Sequence, residues 1–189
     1  MAKTLKPIPI PQGVNVEPKD SKFLVKGPLG NLELPLHSTL KVNVKDNKIN
    51  VEKNADTPPA IVGTTRALIL TMLEGVTKGY EKILEVRGVG YKALKTKEGV
   101  QLVIGFSHPV NVVPPKGLTF DVKTIPNPED PKTIITEVII KGIDKQLVGT
   151  TAAEIRRISP PDVYHGKGIR YSGEYVRKKA GKRAIAAQT

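Results

Sequence analysis

Cysteine and tryptophan are absent from the 189 residues, and aromatic side chains make up only 4 %. Without cysteine there is no disulfide framework, no thiolate metal site and no Cys nucleophile, and a reducing compartment is compatible with that absence. The shortage of aromatics limits how thick a core can be. Hydrophobic residues at 39 % still suffice for burial, so two thin cores are expected rather than one thick one, within a length that accommodates one large or two small domains. Acidic side chains are also scarce: 18 Asp+Glu face 30 Lys+Arg, a net charge of +12. That balance argues against an acidic metabolic enzyme. No stretch reads as the roughly 20 consecutive apolar residues that span a bilayer. The start, MAKTLKPIPIPQGVNV, alternates Pro with Ile instead of forming an apolar signal core, so no secretory signal is expected.

What is present is a repeat. Ile61-Val62-Gly63-Thr64-Thr65 recurs as Leu147-Val148-Gly149-Thr150-Thr151, 86 positions later. The flanks agree in order. Phe23 to Gly27, then Leu34-Pro35-Leu36, then the alternating Leu40 to Val44 precede the first copy. Leu102 to Gly105, then Val112-Val113-Pro114, then Leu118 to Val122 precede the second. The shorter offset of 78 between Gly27 and Gly105 becomes 86 through the Pro-rich insertion Ile125 to Pro131. The sequence therefore predicts a duplication with its boundary near residues 79 to 83.

Each copy reads as short strands followed by one helix. Lys48 to Glu52 pairs with Leu40 to Val44 across an Asp46-Asn47 turn. Thr57 before Pro58-Pro59 predicts a capped helix over Ala60 to Val76. Its buried face would carry Ile61, Thr65, Leu68, Leu70, Met72 and Leu73, with Gly75 or Gly79 ending it. In the second copy Ile134 to Ile140 predicts a strand. Asp144 caps a helix from Lys145 to Ile158 that turns Leu147, Val148, Thr151, Ile155 and Ile158 inward and stops at Pro160-Pro161. The fold class is α+β: two similar domains, each a small antiparallel sheet against one main helix, over residues 1–81 and 82–160, plus a basic C-terminal tail over 161–189.

Half of the net charge, +6, lies in the last 37 residues. There Tyr164, Tyr171 and Tyr175 alternate with His165, Gly166, Lys167, Gly168, Arg170, Arg177, Lys178, Lys179, Lys182 and Arg183. Basic groups neutralise phosphates and release counterions, tyrosines stack on exposed bases, and glycines admit a close backbone approach. Little apolar surface is available to offset ordering, so the tail is expected to be unstructured before it binds. A solvated basic end is the plainer alternative. The loop with Arg87, Tyr91 and Lys92 is a second candidate RNA contact, or else a tight strand crossing.

Catalytic patterns are weak. Gly88-x-Gly90-x-x-Ala93 is a degenerate dinucleotide fingerprint, yet a turn and a strand follow it instead of the required helix, which favours a glycine-permitted bend. His37, His108 and His165 are too dispersed for a metal site, and Glu129 and Asp130 lie in a polar loop. Neither an enzyme nor a cofactor is expected. Gly63 and Gly149 in the first turns of the two helices read as phosphate-binding helix starts or, preferably, as places where helix and sheet pack closely.

The run Pro161-Asp162-Val163-Tyr164-His165-Gly166-Lys167-Gly168-Ile169-Arg170-Tyr171 resembles the signature of bacterial-type ribosomal large-subunit protein number six. So do Gly88-Val89-Gly90-Tyr91, Gly105-Phe106-Ser107-His108-Pro109 and the paired Gly-Thr-Thr helices. The resemblance covers nearly the whole chain. It implies two related α+β domains. It also implies a cytoplasmic ribosomal location, bacterial or organellar, with large-subunit rRNA and neighbouring ribosomal proteins as partners. The second domain and tail would lie near the sarcin-ricin loop and the stalk base where GTPase factors dock. His165 departs from the family's usual Lys, so a phosphate contact there would be weaker or replaced by stacking. A membrane-surface protein is disfavoured because Gly166, Gly168, Gly173 and Gly181 break any basic helix. A nucleic-acid enzyme is disfavoured because its carboxylate or metal cluster is missing, and no small-molecule substrate is expected.

Overall fold

The computed structural model describes residues 7–19, 22–45, 47–53, 57–126 and 134–181. Contacts divide the chain between Tyr80 and Glu81, with the short stretch Ile143–Lys145 grouped with the first unit.

In the first unit β1 (Ile8–Pro9), β6 (Lys48–Lys53) and β5 (Leu40–Lys45) form one three-stranded sheet, and β2 (Asn15–Lys19), β3 (Lys22–Gly27) and β4 (Gly30–Pro35) form another. Every pairing is antiparallel. Lys45 pairs with Lys48, which leaves a two-residue loop, and Asn47 takes the positive φ of 58° that such a loop demands. Helix α1 (Pro59–Thr77) supplies the other layer. Ile8, Phe23, Val25, Ile49, Ile69, Leu73 and Val76 make the core. Fully burying a side chain of this size contributes roughly 1.5–3 kcal/mol. Lys78 and Gly79 donate their backbone N–H groups to the Glu74 and Gly75 carbonyls, and Gly79 at φ 74° ends the helix as expected.

The second unit repeats this plan. Its meander is β8 (Lys92–Lys95), β9 (Val100–Val103) and β10 (Val110–Val112). Its larger sheet runs β11 (Leu118–Pro126), β12 (Ile134–Gly142), β7 (Tyr80–Arg87), β13 (Gly168–Tyr171). The order β11-β12-β7 reproduces β5-β6-β1, so the duplication read from the sequence is a duplication of topology, with β13 added. Helix α2 (Lys145–Ile158) begins directly after Asp144 and buries Val148, Thr151, Ala152 and Ile155.

Several expectations are corrected. Each unit holds two small sheets rather than one, because the strands before the hairpin form their own meander. Helix α1 buries Thr65, Met72 and Leu73 as expected, but its inner face also takes Val62, Ile69 and Val76, while Ile61, Leu68 and Leu70 are only half-buried. Thr57 does not cap it. Pro58 occupies the cap position, and the Thr57 hydroxyl instead donates to the Thr39 carbonyl at 2.8 Å. At 19 residues, α1 is also long and apolar enough to pass for a membrane span, which the sequence reading did not anticipate; its apolar face belongs to the core. Finally, a Cβ on Gly63 or Gly149 would meet nothing within 4 Å, so neither glycine serves close packing. The close approach is at Gly27, where a Cβ would lie 2.7 Å from the Val76 side chain. Glu129 and Asp130 and most of the Pro-rich insertion lie outside the described residues.

Candidate nucleic-acid interface

The stretch read as a trailing tail begins as a strand. β13 pairs antiparallel with β7, placing Ile169 opposite Val86, Arg170 opposite Glu85 and Tyr171 opposite Leu84. Alternation sends the fully buried Ile169 into the core and Arg170 to the opposite face, where it is 8 % exposed. The single Ile169 carries the packing that the tail's composition concealed. Gly168 makes the entry possible: its φ is 138°, and a Cβ there would sit 2.6 Å from the Pro160 carbonyl oxygen. The Ile169 N–H donates to the Ser159 carbonyl and the Lys179 N–H to the Val163 carbonyl, each at 2.8 Å. The chain is thus tied back from Ser159 to Lys179, which corrects the expectation of an unstructured tail for the described residues.

Arg170, expected as an exposed phosphate contact, is instead buried against a carboxylate. Glu85 Oε2 accepts from Arg170 Nε at 3.1 Å and from Arg87 Nε at 2.8 Å. Burial pushes the Glu85 carboxyl up, but the hydrogen bonds and charges of the two guanidiniums outweigh it and hold the group below its ordinary range. The trio carries one net positive charge.

The hairpin before β13 is set by Asp162. Its carboxylate accepts from the His165 backbone N–H at 2.9 Å and lies 3.1 Å from His165 Nδ1. These bonds, the His165 N–H first, hold the Asp162 carboxyl below its ordinary range. Its carbonyl accepts from the Gly166 N–H at 2.8 Å. The loop therefore presents His165 and Lys167 outward, both exposed.

Two segments far apart in sequence meet here, around a cavity of about 760 Å³. The loop after β7 brings Arg87, Tyr91 and Lys92. The later segment brings His165, Gly166, Lys167, Arg170 and Lys178. No carboxylate lines the cavity among the described residues. Both loops singled out from the sequence thus serve one concave, cationic surface. The strand β8 follows Gly90, which removes the helix a dinucleotide fingerprint needs.

Other candidate residues lie elsewhere. Tyr164 is 55 % exposed beside the cavity and not in its lining. Tyr171 is half-buried, with Lys82 Nζ 5.3 Å and Arg156 5.6 Å from its ring, so it acts within the fold. Arg156 in turn is hydrogen-bonded to Glu174, which holds that carboxyl below its usual range. Arg177 and Lys179 are exposed outside the lining. Lys182 and Arg183 lie outside the described residues. Sequence reasoning missed Val89, Leu94, Thr124, Ile134 and Thr136, which line the cavity with the cations. Apart from Val89, which lies in the loop after β7, they stand on strands, and nothing in the sequence said which sheet face they would share.

Comparison with known proteins settles the family. The family model for ribosomal protein L6 matches residues 10–79 and again 87–172. The chain belongs to the ribosomal protein L6 family. The two matched stretches follow the two units, so the repeat is the family's own. The large ribosomal subunit protein uL6 of Halalkalibacterium halodurans is 46 % identical over 179 residues, covering 94 % of this chain and 95 % of that protein. Those of Alkaliphilus oremlandii and Thermomicrobium roseum are 44 % and 46 % identical, over 94 % of this chain and 96 % and 92 % of their own lengths. L6 proteins are structural ribosomal proteins and not enzymes.

Proposed function

We propose that the chain is a structural component of the large ribosomal subunit that binds large-subunit rRNA mainly through its second unit. The observation that carries this is the cationic cavity, built from two distant segments and free of carboxylates among the described residues. Residues 81–189 hold +8 of the +12 net charge. Phosphate neutralisation supplies much of the affinity in such contacts, and the concave surface fixes orientation. Lys92, Lys167 and Lys178 of the lining contact phosphates, joined by the exposed Arg177 and Lys179 and by the basic Lys182 and Arg183 of the sequence, and Tyr164 stacks on an exposed base. By family resemblance the site is near the stalk base, with other large-subunit proteins as neighbours, in a bacterial cytoplasm.

Sedimentation of a lysate on a sucrose gradient tests the assignment. The chain is expected in the large-subunit fraction, moving to the top after RNase digestion. Recovery in the free pool, unchanged by RNase, would overturn it.

A further inference from the structure

The basic part of the cavity lining fits phosphate, but its aliphatic part does not. Leu94 is 50 % exposed, Ile134 66 % and Val89 84 %, three aliphatic side chains gathered on an otherwise cationic surface. A sugar-phosphate backbone offers these groups nothing, and leaving them in water is unfavourable. Beside them stands Tyr91, whose position is fixed. A Cβ on Gly88 would lie 2.8 Å from its ring, and one on Gly105 would lie 3.0 Å from its hydroxyl. The absence of both side chains lets the ring lie against the backbone as a rigid wall. Thr136, 6 % exposed, adds a hydroxyl at the cavity surface. At about 760 Å³ the cavity lies within the ~300–1,000 Å³ typical of small-molecule sites.

A flat, partly apolar group carrying a phosphate satisfies all of these features. We propose that the cavity receives one unstacked nucleotide of the bound RNA, with its base against Leu94, Ile134 and Tyr91 and its phosphate on Lys92 and Lys167. This rests on the rRNA-binding reading and deepens it: the protein captures a splayed base instead of resting only on a duplex backbone. Sequence-specific proteins mostly read unstacked bases in RNA loops and bulges, since the deep, narrow major groove of an A-form duplex cannot be read by side chains. A base packed on Tyr91 and its aliphatic neighbours neutralises no phosphate, so losing that contact lowers affinity without changing the salt slope.

The test measures binding of the full chain to transcribed large-subunit rRNA. A footprint first defines a protected fragment, and each protected nucleotide is then replaced by an abasic one. One abasic position is expected to lower affinity about tenfold or more. Leu94→Ala and Ile134→Ala should do the same on intact RNA with an unchanged salt slope, and have no further effect on that one abasic RNA. Lys92→Ala and Lys167→Ala should instead reduce the salt slope. Exposed positions make these variants safe for folding, which circular dichroism verifies. If every abasic RNA bound like the parent, or if Ile134→Ala acted equally on intact and abasic RNA, the pocket proposal would fall while rRNA binding stood. Affinity no better than for random-sequence RNA would sink both.

Discussion

Arg170 and Glu85, separated by 85 positions in the chain, face each other across the β13–β7 pair with their charged groups almost wholly buried. Removing one partner of such a pair leaves an uncompensated charge in a poorly solvated place, at a cost of about 3–5 kcal/mol. The arrangement is asymmetric, because Arg87 also binds Glu85. Glu85→Ala takes a carboxylate from two guanidiniums at once, whereas Arg170→Ala leaves the carboxylate with Arg87. Urea denaturation should therefore show the larger loss for Glu85→Ala. Equal losses would mean that Arg87 does not share the carboxylate.

The same carboxylate should shape the acid limb of stability. Its pKa is depressed in the folded state, so its contribution is present above the ordinary carboxylate pKa of about 4.3 and is lost as pH falls through the lower folded value. Glu85→Gln should flatten the fall in urea midpoint at acidic pH relative to the parent. Parallel curves would contradict the assignment.

Glycine substitutions should have opposite signs at two sites. Gly168→Ala forces a side chain into a φ of 138° and against the Pro160 carbonyl, and should cost at least the ~1–3 kcal/mol of a strained backbone. Gly63→Ala meets open space on a regular helix and should stabilise by about 0.5–1 kcal/mol. Melting temperatures of the two variants give the comparison directly.

The two tail tyrosines should separate. Tyr164→Ala, at an exposed position, should leave the melting temperature unchanged while lowering rRNA affinity by about 1–3 kcal/mol. Tyr171→Ala removes the ring between Lys82 and Arg156, and should lower the melting temperature. A reversal of these two results would exchange their roles.

The sequence was most informative where the physics is local. The Gly-Thr-Thr repeat and the hairpin alternation gave the duplication, and helix α2 runs from Lys145 to Ile158 as expected. The inner face of α1 was legible only in part, at Thr65, Met72 and Leu73, since its many apolar residues leave nearly every face a plausible inside. β13 was hidden for a different reason. Four residues with one aliphatic side chain show no pattern by themselves, and the partner that makes Ile169 a core residue is Val86 on β7. Likewise the basic residues of the site were visible in composition, but their convergence on one cavity depends on that long-range pairing. The glycines of α1 and α2 mislead for want of a third dimension, because a helix periodicity does not reveal what stands outside it.

The position of β13 also orders events in time. Every other strand precedes it in the chain, so during synthesis β7 waits with an unpaired edge until Gly168 to Tyr171 emerge. Arg170 and the His165–Lys167 loop, which complete the cavity, arrive with that strand. A polypeptide released before Gly168 therefore lacks both β13 and part of the cavity lining, Arg170 and Lys178. The cavity is whole only once the chain has been made through Lys178, which follows β13 and also lines it.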